Sequence, residues 1–180
     1  MNRISVIGSS GSGKTTVARA LAERLRVPHL ELDAIFHQPG WEPRSDAEFR
    51  AEVAAFVAGE RWVVDGNYTS HGVAQVVWPR ADTIVWLDPP RRVVMRRVVS
   101  RTLRRVITRE ELWNGNREPW TNLYSRDPYK NIIVWAWTRF PGVRKKYEGF
   151  LGSEEWAHAR VVRLRSAREV QVFLEAVADR

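Results

Sequence analysis

The feature that most constrains this chain is Gly8-Ser9-Ser10-Gly11-Ser12-Gly13-Lys14-Thr15, in which four residues separate Gly8 from a terminal Gly-Lys-Thr. Such spacing lets the backbone curl so that successive N–H groups point inward at phosphate oxygens. The flanks match it. Arg3-Ile4-Ser5-Val6-Ile7 is a short β-branched run that predicts a strand, and Val17, Leu21 and Leu25 recur at helical spacing in the segment that follows. A helix beginning at the loop's end would offer its positive N-terminus to the same phosphates. Strand, glycine loop and helix in that order predict a nucleotide-binding P-loop formed by Gly8 to Thr16. Lys14 would reach the β- and γ-phosphates, Thr15 would place its hydroxyl on Mg²⁺, and Thr16 could contact the α-phosphate.

The remaining pattern extends this unit into an α/β fold. His29 to Leu32 reads as a second strand ending on Asp33. Arg61 to Val64 reads as a third ending on Asp65, Thr83 to Leu87 as a fourth ending on Asp88, and Arg160 to Leu164 as a fifth. Near-continuous apolar strands alternating with helices indicate a parallel sheet covered on both faces. Capping boxes at Ser45/Glu48, Thr108/Glu111 and Ser166/Glu169 predict three helix starts. Helices are further expected over 91–106, with Met95, Val99 and Val106 on the apolar side, and over 132–146. The stretch from Trp113 to Pro128 reads as irregular. No repeat or long linker divides the chain, so one domain spanning 1–180 is expected, with a lid segment at about 91–128.

Composition narrows the chemistry. The 180 residues include no cysteine, which excludes a disulfide framework, a zinc finger and a thiol nucleophile. No apolar stretch approaches the ~20 residues that cross a bilayer, and the N-terminus runs directly into a strand rather than a signal peptide. A cytoplasmic protein without membrane attachment is the expectation. The net charge of +8 calls for an anionic partner or reflects an arginine-rich codon bias on a solvated surface.

A P-loop needs an acid at the end of an apolar strand to hold the metal's water shell. Asp65 and Asp88 both fit. Asp65 is preferred because Asp65-Gly66-Asn67 is turn chemistry that can face the phosphates, whereas Asp88-Pro89-Pro90 suits a helix N-cap. An Asn-Lys-x-Asp sequence that would read guanine is absent. Eight arginines between Arg91 and Arg109 lie after the fourth strand, where an arginine-rich segment could neutralise charge developing on a transferring phosphoryl group. Arg101, Arg105, Arg109 and Arg117 are the lid candidates, and Arg97, Arg101 and Arg104 share a helix face. Phe36, His37 and Trp41 could line an acceptor pocket, and Arg44 and Arg50 could bind an acceptor's anion. Trp113, Trp120, Trp135 and Trp137 bunch in the C-terminal half, where packing accounts for most tryptophans.

Three segments, Pro28-His29-Leu30-Glu31-Leu32-Asp33, Trp62-Val63-Val64-Asp65-Gly66-Asn67-Tyr68 and Leu112-Trp113-Asn114-Gly115-Asn116-Arg117-Glu118, carry a resemblance over essentially the whole chain. It is similar to the adenylate-kinase-like small P-loop kinases, and more closely resembles bacterial FlaR-related DNA topology modulation proteins and adenylate-kinase-like ATP-binding proteins. The resemblance implies a three-layer P-loop NTPase fold with a five-stranded parallel sheet ordered 2-3-1-4-5. It also implies ATP and Mg²⁺ at the P-loop, a small-molecule or nucleotide acceptor between the second strand and the segment after the third, and adenine near Arg165 and Ser166. The chain departs where adenylate kinases place Asp-Gly-Phe-Pro-Arg, carrying Asp65-Gly66-Asn67-Tyr68-Thr69 and so lacking the arginine that grips an acceptor phosphate. Asp33 resembles the second-strand acid that shikimate- and gluconate-type kinases turn toward an acceptor hydroxyl, and a structural strand-end carboxylate is the other reading. The expected activity is an ATP-dependent phosphotransferase, with Lys14, Asp33, Arg101, Arg105 and Arg117 as catalytic candidates and Thr15 and Asp65 at the metal. A nucleotide-gated DNA- or RNA-binding regulator with weak ATPase activity is the alternative, although no helix-turn-helix or RNA-binding signature accompanies it.

Overall fold

A computed structural model describes residues 1–178. The elements follow in the order β1 (Arg3–Gly8), α1 (Lys14–Leu25), β2 (His29–Glu31), α2 (Leu32–Phe36), α3 (Asp46–Val57), β3 (Trp62–Asp65), α4 (Ala74–Val77), β4 (Thr83–Leu87), α5 (Arg91–Thr108), α6 (Thr121–Tyr124), α7 (Ile132–Leu151), β5 (Arg160–Leu164) and α8 (Ala167–Ala178), with short 3-10 turns between them. The sheet is parallel and five-stranded, in the order β2-β3-β1-β4-β5. Side chains of a strand alternate between faces, and the apolar strands accordingly split into two cores. Ile4, Val6, Val63, Val85 and Leu87 pack with Val17 and Leu21 of α1. On the opposite face Ile7, Trp62, Val64, Ile84 and Trp86 pack with Phe49 and Val53 of α3 and Tyr147 of α7.

Two of the capping boxes start helices. Ser45 Oγ accepts from Glu48 N at the head of α3, and Ser166 Oγ accepts from Glu169 N at the head of α8. The third does not. Thr108 is the last residue of α5, its hydroxyl donating to Arg104 O at 2.8 Å, and Glu111 bridges to Arg117 instead of opening a helix. The pattern fails there because α5 already occupies the positions that an N-cap must leave, and Arg109 ends it in the left-handed region at φ 52°.

Other boundaries also shift. β2 is shorter than expected, and Asp33 lies in the first turn of α2 rather than at a strand end. The buried stripe of α5 is Val94, Val98, Thr102 and Val106, so Met95 and Val99 flank it. α7 runs through Pro141 and continues beyond Lys146 to Leu151, because Phe140 and Tyr147 are buried on either side of the proline and packing outweighs its missing N–H. Within the irregular stretch, Thr121–Tyr124 forms the single turn α6. Among the described residues, no helix is long and apolar enough to cross a membrane.

Candidate functional site

The P-loop leaves β1 at Gly8 and enters α1 at Lys14, with Gly13 at φ 102° as the helix's N-cap. Gly11 has φ 79°, and a Cβ there would lie 2.5 Å from Val98 Cγ2, so the loop is seated directly on α5. Asn67, just after β3, braces the loop's base by accepting from Gly8 N at 3.2 Å and donating to Gly8 O. Two α5 arginines reach the loop from outside. Arg97 donates to Ser12 O at 2.8 Å, and Arg101 approaches Ser10 Oγ at 3.4 Å.

Lys14 Nζ donates to Ser9 O at 3.2 Å. Burial holds its ammonium below the ordinary lysine value, against the opposing pull of the Asp33 and Asp65 carboxylates. Burial also lowers the Arg101 guanidinium, helped by the neighbouring charge of Arg105.

Beside Lys14, Thr15 Oγ1 lies 3.1 Å from Asp65 Oδ1 and 3.2 Å from Glu31 Oε1. His29 Nε2 sits 2.7 Å from the other oxygen of Asp65, and Arg19 pairs with Glu31 at 3.0 Å. A hydroxyl and two carboxylates form an all-oxygen donor set suited to a hard cation such as Mg²⁺. No group of three or more His, Cys, Asp or Glu side chains that could hold a metal occurs among the described residues. Three oxygen donors fit an ion that would complete its shell with phosphate oxygens and water. Glu31 was not singled out from the sequence. Its signal was the spacing of two acids, Glu31 and Asp33, at the end of a short strand.

Asp88, the other strand-end acid, lies elsewhere. It accepts from Arg163 Nε at 3.0 Å and Nη2 at 2.6 Å, and pairs with Arg144 at 3.1 Å, while Pro90 occupies the N-cap of α5. Asp88→Asn is expected to cost about 1.5–3 kcal/mol, because two guanidiniums lose a charged acceptor. The thermal midpoint should fall by roughly 4–10 °C with ATP affinity unchanged. Weakened ATP binding at an unchanged midpoint would reverse that assignment.

P-loop and acceptor side open onto one cleft of about 1870 Å³. Asp33 Oδ1 accepts from the Tyr68 hydroxyl at 2.7 Å, and His37 Nε2 lies 3.4 Å from the same hydroxyl. Burial, reinforced by Asp33, pushes the Tyr68 phenol far above its ordinary value, so it stays a donor. Burial lowers His37, whose ring is thereby kept neutral near pH 7. Tyr68 is held by aromatic packing on Phe36 and Phe49, with centroids at 4.6 and 5.0 Å. Phe36, His37, Trp41, Trp113 and Trp135 all line the cleft.

Several expected residues are placed differently. Arg105 lines the cleft but lies 3.6 Å from Glu118, a buried acid that also bonds Asn122. Arg117 does not line it. Its half-exposed guanidinium lies 3.8 Å from Glu111, and what the segment offers inward is the Arg117 carbonyl, which accepts from Trp41 Nε1. Arg109 donates to Glu118 O. Arg44 pairs with Glu52, and Arg50 donates to His71 O, so neither reaches the cleft. The Arg165 amide is taken by Glu169 within the α8 cap. Trp120 and Trp137 are exposed, the latter beneath the Arg91 guanidinium.

No protein-family model matches the chain. Curated relatives do. A cytidylate kinase of Pyrobaculum neutrophilum is 32% identical over 148 residues, covering 72% of this chain and 79% of that protein. A shikimate kinase of Thermobifida fusca is 47% identical over 66 residues, 37% of this chain and 38% of its own length. Among solved structures, the shikimate kinase of Acinetobacter baumannii in complex with shikimate superposes with a TM-score of 0.58 at 14% identity, covering 98% of this chain and 90% of that one. A gluconokinase from Sinorhizobium meliloti gives 0.51 at 20% identity, over 99% and 94%. These structural likenesses establish a shared fold, and the cytidylate kinase, matched over 79% of its length, carries the family. With a P-loop at the head of a 2-3-1-4-5 sheet and relatives of this extent, the chain belongs to the small P-loop kinases, the family of the cytidylate and shikimate kinases, and is a phosphotransferase.

Proposed function

We propose that the protein transfers the γ-phosphoryl group of ATP to a hydroxyl of a small acceptor held beside Asp33. The observation that carries this reading is the juxtaposition, in one cleft, of Lys14, Thr15 and Glu31 with the Asp33–Tyr68 pair, the buried Asp65 carboxylate accepting from Thr15. Lys14 and Arg101 would bind the phosphates and stabilise charge spreading over the transferring group. Thr15, Asp65 and Glu31 would hold Mg²⁺ and its waters, and the ion would neutralise the β- and γ-phosphate oxygens. Tyr68 fixes one oxygen of Asp33, leaving the other to accept the acceptor's hydroxyl proton. The acceptor oxygen then bonds to the γ-phosphorus as the bond to the ADP oxygen breaks. Asp65-Gly66-Asn67-Tyr68-Thr69 stands where adenylate kinases carry Asp-Gly-Phe-Pro-Arg, with Thr69 in place of the arginine for an acceptor phosphate, and Arg44 and Arg50 are engaged outside the cleft. That supports a hydroxyl acceptor over a nucleoside monophosphate. The resemblance to FlaR-related ATP-binding proteins is drawn on the segments that build this cleft, and a reaction drawing on ATP supports a cytoplasmic location.

The test is ADP release by purified protein with Mg·ATP against a panel of nucleoside monophosphates, hydroxy acids and sugars. Acceptor-dependent ADP release above the acceptor-free rate is the expected result. Release that no acceptor stimulates would leave an ATPase in place of a kinase.

A further inference from the structure

The segment after α5 does not stand free over the P-loop. Five hydrogen bonds join residues 114–117 to residues 34–41, the stretch immediately following Asp33. Asn114 Nδ2 donates to Ala34 O at 3.1 Å and to His37 O at 2.6 Å. Asn116, only 4% exposed, donates to Gln38 O at 2.9 Å and accepts from Trp41 N at 2.9 Å. Trp41 Nε1 donates to Arg117 O at 3.0 Å. Both strands of this clasp are shaped for it, since Trp41 and Asn114 adopt left-handed φ values of 64° and 56°.

The clasp brings three rings together. His37 stacks on Trp113 with centroids 6.0 Å apart and a 24° interplanar angle, and Trp41 meets each of them edge-on at 5.2 and 6.3 Å. All three line the cleft on which Asp33 opens. None of the five bonds involves a P-loop residue. Contacts to the P-loop come instead from Arg97 and Arg101, on the body of α5.

We infer that residues 113–117 form a wall of the acceptor chamber rather than a cover for ATP, with Asn114 and Asn116 as positioning residues that seal the chamber beside Asp33 against water. This rests on the kinase reading. Sealing matters because water competes with any acceptor hydroxyl. Admitted beside Asp33, water bonds to the γ-phosphorus, the bond to the ADP oxygen breaks, and the proton passes to the carboxylate and on to solvent. A wall tied to the acceptor loop by polar side chains suppresses that loss without touching the nucleotide.

The test needs no identified acceptor. Asn114→Gly removes both donor bonds of an exposed residue while preserving its left-handed backbone. With Mg·ATP alone, this variant should hydrolyse ATP roughly three- to tenfold faster than the parent, the scale expected from one or two lost hydrogen bonds, with the KM for ATP within about twofold. Asn116→Ala should act in the same direction, and its thermal midpoint separates opening of the wall from unfolding. A raised KM for ATP, or unchanged or slower hydrolysis in a folded Asn114→Gly protein, would overturn the assignment. Calorimetric titration of the parent with Mg·ATP keeps the two readings apart. A parent that binds ATP while Asn114→Gly fails to accelerate hydrolysis sinks the clasp alone, whereas a parent that binds no ATP sinks the kinase reading itself.

Discussion

Lys14→Met should lower kcat/KM for ATP by roughly a hundred- to a thousandfold, about 3–4 kcal/mol of transition-state stabilisation, while leaving the ligand-free protein as stable as the parent or more so. The two halves have one cause. Lys14 is half-buried and desolvation lowers its pKa, so the ligand-free fold carries a cation that its surroundings disfavour. Methionine has similar length and no charge. The pH dependence gives an independent check. A group whose folded pKa lies below its unfolded value binds fewer protons folded than unfolded in the window between them, so stability rises with pH across that window. For the parent, this contribution lies between the lowered value and the ordinary lysine value near ~10.4. It should be missing from the Lys14→Met melting curves. A variant transferring phosphoryl at the parental rate would remove Lys14 from the reaction altogether.

What the sequence made legible, and what it left hidden, follows from the range of each interaction. The P-loop is local, because its glycine spacing and its strand and helix flanks all lie within residues 3–25. The strands are nearly as legible, since each apolar run is short and bounded by turn chemistry, whereas their order in the sheet is implied only by the family resemblance. The Asp33–Tyr68 bond joins positions 35 apart, and the Asn114–His37 bond positions 77 apart. No periodicity reports such pairs. Asn114 and Asn116 lie in the stretch that reads from sequence as irregular, and nothing in it shows that their side chains hold another loop. The basic excess was likewise ambiguous until its partners were visible. Arg144 and Arg163 converge on Asp88, Arg104 and Arg105 on Glu110, and Arg97 and Arg101 on the P-loop. Part of the charge therefore serves internal pairs and the P-loop, and no motif supports a nucleic-acid partner for the rest.

Asp33→Asn should reduce acceptor phosphorylation by about a hundred- to ten-thousandfold, the usual span for loss of a general base, with the KM for ATP little changed. Asparagine keeps the side chain's shape, and its carbonyl oxygen can still accept from the Tyr68 hydroxyl. A purely structural Asp33 would therefore tolerate it. Tyr68→Phe is the complementary change, since it retains the carboxylate but frees the oxygen that Tyr68 now holds. If Asp33 takes the acceptor's proton, Tyr68→Phe should cost only about tenfold, the scale of one lost hydrogen bond. The double variant should then be scarcely worse than Asp33→Asn, because orienting an absent base achieves nothing. If Asp33 merely positions Tyr68, Tyr68→Phe should lose the activity while Asp33→Asn, which keeps the bond to the Tyr68 hydroxyl, should retain most of it. The kcat against pH separates the cases again, because a carboxylate base gives an acid limb that survives in Tyr68→Phe and disappears in Asp33→Asn.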